Sequence, residues 1–170
     1  MALSNFNIAA ILDKLDIPYR IIRYEELANV QPQDIPKTNW ILYFGYPGDL
    51  GHWTLLYTKG KTVHFYDPYG IHPDGQWNKI YNTFNRDPPE HYLSKLLHEL
   101  RNMGYHTSYN HYDLQNYLIH HSIGKLEKKL SENECGEIVI LRLLFKELND
   151  KEFFEFAKNL HPDEIVKFII

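Results

Sequence analysis

The chain has one cysteine, Cys135, in 170 residues. A lone thiol excludes an internal disulfide and a thiolate-rich metal site, and it suits a reducing compartment. Long hydrophobic runs are also missing: the longest, such as Ile138-Val-Ile-Leu and Phe168-Ile-Ile, fall far short of the ~20 residues that cross a bilayer. The first residues carry no basic stretch ahead of an apolar run, so no secretory signal is expected. There is no excess of positive charge either. With 22 acidic and 18 basic side chains the formal net charge is −4, which makes DNA a weak partner at best, because non-specific binding depends on clustered Lys and Arg. No glycine-rich phosphate loop, Gly-x-Ser-x-Gly elbow or His-Glu-x-x-His motif occurs, which removes support for nucleotide, serine-hydrolase and zincin chemistry. No repeat or low-complexity tract is found. The expectation is one soluble domain spanning 1–170, with no membrane segment and no metal or other cofactor.

What is present is aromatic. Phe, Trp and Tyr make up 15% of the chain, with 13 tyrosines, and they read first as core and rim residues. Ile8, Ile11, Leu12 and Leu15 recur at helical spacing after Ser4 or Asn5, and Pro18 closes the pattern. The Pro- and Gln-bearing stretch 19–37 reads as a loop or edge segment. Three short runs, Trp40–Tyr46, His52–Tyr57 and Val63–Asp67, are separated by turn signals and predict three antiparallel strands. A helix follows Pro88-Pro89 with Leu93, Leu96, Leu97 and Leu100 on one face. An extended piece is expected near Tyr105–Tyr112, and a small charged helix around Leu126–Leu130. Ser131-Glu-Asn-Glu134 resembles a capping box ahead of Ile138, Leu141, Leu144 and Leu148, which places Cys135 in the first turn of a buried helix. Two more short helices fit the remainder, divided near His161-Pro162.

A cysteine nucleophile needs its thiolate stabilised and an imidazole in reach. A helix N-terminus contributes the first, typically ~0.3–1 kcal/mol. In the hairpin, His52 begins one strand and Asp67 ends the next, so the two ends lie side by side. Asp67 would take the second imidazole N–H and fix the tautomer, while the competing reading makes Asp67-Pro68-Tyr69-Gly70 only a turn. Glu132, Glu134 and Glu137 oppose a thiolate unless they are capping and solubilising residues turned away from it. His106, His111, His120 and His121 match no closed zinc pattern and read as surface or loop residues.

The ordered set Gly51-His52-Trp53, Phe65-Tyr66-Asp67-Pro68-Tyr69-Gly70, a glutamine in a Tyr/Asn-rich segment and Cys135-Gly136 resembles the adenain-like and ubiquitin-like-protease superfamily of cysteine peptidases. The look is nearest to the maturation proteases of virophages and large DNA viruses. The resemblance runs from about Trp40 to Leu148 and implies an α+β fold: a small antiparallel or mixed sheet packed on helices, with the nucleophile at the N-terminus of a central buried helix. It implies His52 as general base, Asp67 as its partner, Cys135 as nucleophile and Gln115 as oxyanion support with the Cys135 backbone N–H. Trp53, Tyr69 and Gly136 would meet the substrate, although Trp53 reads equally as a core residue beside the site. The sequence departs from the family where residues 116–134 separate Gln115 from Cys135, and where Asn133-Glu134 precedes the cysteine. The implied activity is endoproteolysis of capsid or other virion precursors at glycine-containing sites, in virion and host cytoplasm, with an activating peptide among the partners known for relatives. The rivals are an isopeptidase for ubiquitin-like modifiers and a catalytically silent binding or scaffold module.

Overall fold

A computed structural model describes residues 3–46, 50–83, 90–121 and 134–160. Its centre is a mixed five-stranded sheet in the order β1-β2-β3-β4-β5. The strands are β1 (Tyr19–Arg23), β2 (Asn39–Tyr46), β3 (Leu50–Lys59), β4 (Thr62–Tyr66) and β5 (His106–Tyr109). The three predicted strands are the antiparallel middle. β1 joins in parallel on one edge and β5 in parallel on the other.

The sheet is covered on both faces, which is why its strands read as nearly continuous apolar runs instead of a polar alternation. Trp40, Leu42, Phe44, Leu56, Val63 and Phe65 face one layer; Ile41, Trp53, Leu55, Tyr57 and Tyr66 face the other. The first layer holds two short 3₁₀ helices (Tyr24–Asn29 and Pro32–Lys37), Trp77 of α2 (Gly75–Thr83) and α3 (Tyr92–Asn102). In α3 the expected leucine face is buried, each side chain contributing about 1.5–3 kcal/mol. The second layer holds α1 (Asn5–Lys14), α4 (Leu114–His120), α5 (Cys135–Leu144) and α6 (Asp150–Ala157). Ser4 caps α1 in a reciprocal box with Asn7.

The 19–37 stretch, expected as a loop or edge segment, supplies an edge strand and two 3₁₀ helices, with Tyr19–Arg23 paired to β2 in a register no local pattern announces. Three expectations change. Helix α5 ends at Leu144, and Leu148 lies in the connection to α6. Glu134 is the N-cap of α5 and makes no side-chain capping bond, so it is not the third residue of a helix starting from Ser131. Glu134 and Glu137 are both buried, so they are not solubilising groups. Glu132, the charged helix around Leu126–Leu130 and the last predicted helix lie outside the described residues.

Arg142 of α5 is buried among Tyr57, Tyr66 and Phe153, each ring centroid 5.0–5.6 Å from its guanidinium. It donates to the Phe145 and Leu148 carbonyls and, at 3.2 Å, to Asp150 Oδ1. Arg142→Ala would leave that carboxylate without its buried cation. A loss of about 3–5 kcal/mol is expected, to be read from the urea midpoint.

Candidate active site

The site forms at the end of the sheet where β3 begins and β4 stops. In the β3–β4 ladder Leu55 opposes Tyr66, so Thr54 stands opposite Asp67, and His52 lies two residues along on the same face. That diagonal is within reach of long side chains. His52 Nε2 and Asp67 Oδ1 are 2.8 Å apart, both buried. Nε2 carries the hydrogen and donates it to the carboxylate, leaving Nδ1 as the nitrogen free to serve as base. The Cys135 thiol, partly exposed at the first residue of α5, lies close enough to the same imidazole to help raise its pKa. Side chains from two strand ends and a helix start, 15 and 68 residues apart or more, therefore meet at one ring.

Burial alone would lower the pKa of His52. The Asp67 carboxylate and its hydrogen bond, followed by Cys135, outweigh that effect and raise it to about 9. The imidazolium is thus the favoured form at neutral pH, held between a carboxylate and the sulfur.

Asp67-Pro68-Tyr69-Gly70 forms a turn whose leading carboxylate meets His52. Gly70 N–H donates to the Asp67 carbonyl at 2.7 Å, and the Tyr69 N–H donates to Asp67 Oδ1 at 2.8 Å. Gly70 has φ +68, and a Cβ there would sit 2.9 Å from the backbone of His111 and Tyr112. Only glycine accepts both conditions. The Tyr69 ring lies over His52, centroids 4.9 Å apart at 42°.

Two further residues hold Asp67, one at its carboxylate and one at its backbone carbonyl. Gln76 of α2 donates to Asp67 Oδ2 at 3.2 Å. Asn110 is fully buried and donates to both the Asp67 and the Tyr112 carbonyls at 2.9 Å. Neither was legible beforehand, because both are polar residues in irregular sequence with no motif around them. Asn110 also ties the Asp67 turn to the segment leading into α4. There the Gln115 N–H donates to the Pro68 carbonyl at 3.0 Å, so fully buried Gln115 rises from backbone adjoining Asp67.

Trp53 belongs to the core and to the rim of the site at once. It is 7% exposed, packs against Tyr43 with ring centroids 4.7 Å apart at 50°, and donates its indole N–H to the Leu3 carbonyl. A Cβ on Gly136 would come within 3.4 Å of Trp53 Cδ1 and 3.1 Å of Leu3 Cβ, so glycine lets the start of α5 press against that wall. Trp53, Tyr43, Leu3 and Ile21 line a groove of about 470 Å³. His106, His111, His120 and His121 are exposed, and among the described residues no group of His, Cys, Asp or Glu side chains is arranged to hold a metal. No described helix is long and apolar enough to cross a membrane.

Compared with solved structures, the chain superposes over 99% of its length on the crystal structure of the ASFV pS273R protease, with a TM-score of 0.56 at 12% identity. The fold is that of the pS273R protease. A selenomethionyl crystal form of the same protein gives 0.55 at 13%. The chain spans 66% of that protease's length. Among curated sequences it is 29% identical over 182 residues to uncharacterized protein V9 of Sputnik virophage, covering 99% of this chain and 94% of V9. No family model matches the chain.

Proposed function

We propose that this protein is a cysteine endopeptidase that cuts capsid or other virion precursor proteins at sites containing glycine or other small residues. The observation that carries the reading is the meeting of Cys135, His52 and Asp67 at one imidazole in a fold shared with a viral protease. The likeness to a virophage protein supports a viral setting, with action in virus factory and particle. The functional unit is the whole 1–170 chain, and its partners are a precursor protein and, as in some relatives, an activating peptide.

In this mechanism the Cys135 sulfur attacks the scissile carbonyl carbon while His52 Nδ1 holds the thiol's proton. His52 then returns that proton to the leaving amine, giving a thioester on Cys135. A water molecule, deprotonated by Nδ1, attacks the thioester and releases the acid and the thiol. Asp67 remains a carboxylate throughout, holding the ring and its charge. The Cys135 backbone N–H and the Gln115 side chain stabilise the tetrahedral oxyanion. Tyr69 over the imidazole and Trp53 behind Gly136 narrow the approach, which favours small residues at the cut.

Gln115→Ala is expected to lower kcat by about 10²–10³, with little change in KM. An unchanged kcat in single-turnover assays would move the oxyanion role to another donor.

The reading is tested by co-expressing the enzyme with virion structural proteins of a virophage and mapping new termini by mass spectrometry, with Cys135→Ala as control. A panel of ubiquitin-like fusions is run alongside. Glycine-containing cuts in virion proteins that vanish in the control are expected. Efficient cleavage of the modifier panel alone would establish the isopeptidase rival. No cutting of either set, together with a thiol that reacts equally well in His52→Ala, would establish the silent module.

A further inference from the structure

At the β4–β5 edge of the sheet, on the face covered by α5 and α6, the parallel register sets His64 against Ser108. His64 is buried, and its Nδ1 lies 2.6 Å from Ser108 Oγ. Its Nε2 lies 2.9 Å from Asp150 Oδ2 and 3.0 Å from Oδ1. The hydrogen therefore sits on Nε2 and is donated to Asp150, so Nδ1 accepts the Ser108 O–H. Asp150, the first residue of α6, is in turn fixed by Arg142 at 3.2 Å. The edge of the His64 ring meets Tyr57 at 68°, with centroids 5.3 Å apart, which locks the imidazole plane. Hydroxyl, imidazole and carboxylate thus stand in the nucleophile, base and orienter order, with the same ring polarity as the His52 set.

A purely structural tie would bury the hydroxyl. Ser108 is instead exposed on an edge strand, and it opens with His64 onto a groove of about 670 Å³. Lys59, Arg142 and Lys146 line that groove against Glu147, Asp150 and Glu152. With cations and carboxylates equal in number, the groove selects neither sign of ion and suits a neutral ligand.

We propose that Ser108, His64 and Asp150 form a second hydrolytic site, acting on small neutral carboxylic esters independently of Cys135. Ser108 Oγ attacks the ester carbonyl carbon as its proton passes to His64 Nδ1. The carbonyl–oxygen single bond to the alcohol breaks, and the departing alkoxide takes that proton. Water then attacks the acyl-serine, giving a proton to His64, and the acid leaves as Ser108 Oγ recovers its hydrogen. Asp150 orients the imidazole and balances its transient charge.

The test uses the full chain carrying Cys135→Ala, so loss of the cysteine reading leaves it unaffected. The probes are a fluorophosphonate and p-nitrophenyl acetate. The expected result is a phosphonyl adduct located on Ser108 by mass spectrometry, absent in Ser108→Ala, and formed about 100-fold more slowly in His64→Gln. Ester turnover should fall in parallel. Ser108 is exposed, so its alanine variant should keep the parent melting temperature and serve as the folded control. Absence of an adduct at Ser108, or an equal labelling rate in His64→Gln, overturns the proposal. If Asp150→Asn lowers the melting temperature and leaves the labelling rate unchanged, the orienter role fails and Asp150 is only a helix anchor.

Discussion

Cys135→Ala is expected to abolish precursor cleavage altogether, while the circular dichroism spectrum and melting temperature stay close to those of the parent. The asymmetry follows from where the sulfur sits. Cys135 opens α5 and is only partly packed against the core, so losing one sulfur costs little cavity energy; alanine is also the better helix former, by a few tenths of a kcal/mol. Chemically the change removes the sulfur that carries the acyl group in precursor cleavage, and the chain has no second cysteine. Residual hydrolysis at the same bonds would assign the nucleophile elsewhere. A large drop in melting temperature would make Cys135 a packing residue first.

Asp67→Asn should lower kcat/KM by about 10²–10⁴ and change the pH profile in a direction that identifies its cause. In the parent, burial pushes the His52 pKa down and Asp67 pushes it up by more, to about 9. Cleavage needs His52 protonated to deliver a proton to the leaving amine, so the rate should decline on the alkaline side near that value. With asparagine, burial remains and the carboxylate is gone, so the decline should begin at lower pH. Asparagine can also turn its amide toward Nε2 and stabilise the wrong tautomer, which accounts for the loss in rate at the optimum. Stability follows the same group. Because the folded pKa of His52 lies above its ordinary 6.5, its contribution is complete below about pH 6.5. That contribution disappears as the pH climbs through about 9. An alkaline limb that does not move in Asp67→Asn would disconnect the carboxylate from the base.

Much of this arrangement could be read from local chemistry. The leucine face of α3, the Ser4 cap of α1 and the hairpin joining β3 to β4 rest on periodicity, capping and turn residues, each decided within a dozen neighbours. His52 and Asp67 were legible for the same reason, since a hairpin brings its strand ends together. Other parts were not. Tyr19–Arg23 has no clean alternation, and only its pairing with β2 makes it a strand. Gln76 and Asn110 grip Asp67 from segments 9 and 43 residues away, with nothing in their surroundings to distinguish them from surface amides. Glu134 and Glu137 look like ordinary acidic first-turn residues, yet the packing of α5 buries them.

The available chemistry is written in the order of residues: one thiol, placed by pattern at the start of an apolar helix, and a histidine and an aspartate at the ends of adjoining strands. Periodicity and turn preference are short-range forces, so they write themselves into consecutive residues. Packing between distant segments is what sets α5 against the sheet in the layer opposite α3 and brings its first residue to His52. The same packing seats Ser108 against His64 and Asp150. Those contacts arise from strand register and from layers closing over both faces, and the residues that make them carry no mark of it in the order of the chain.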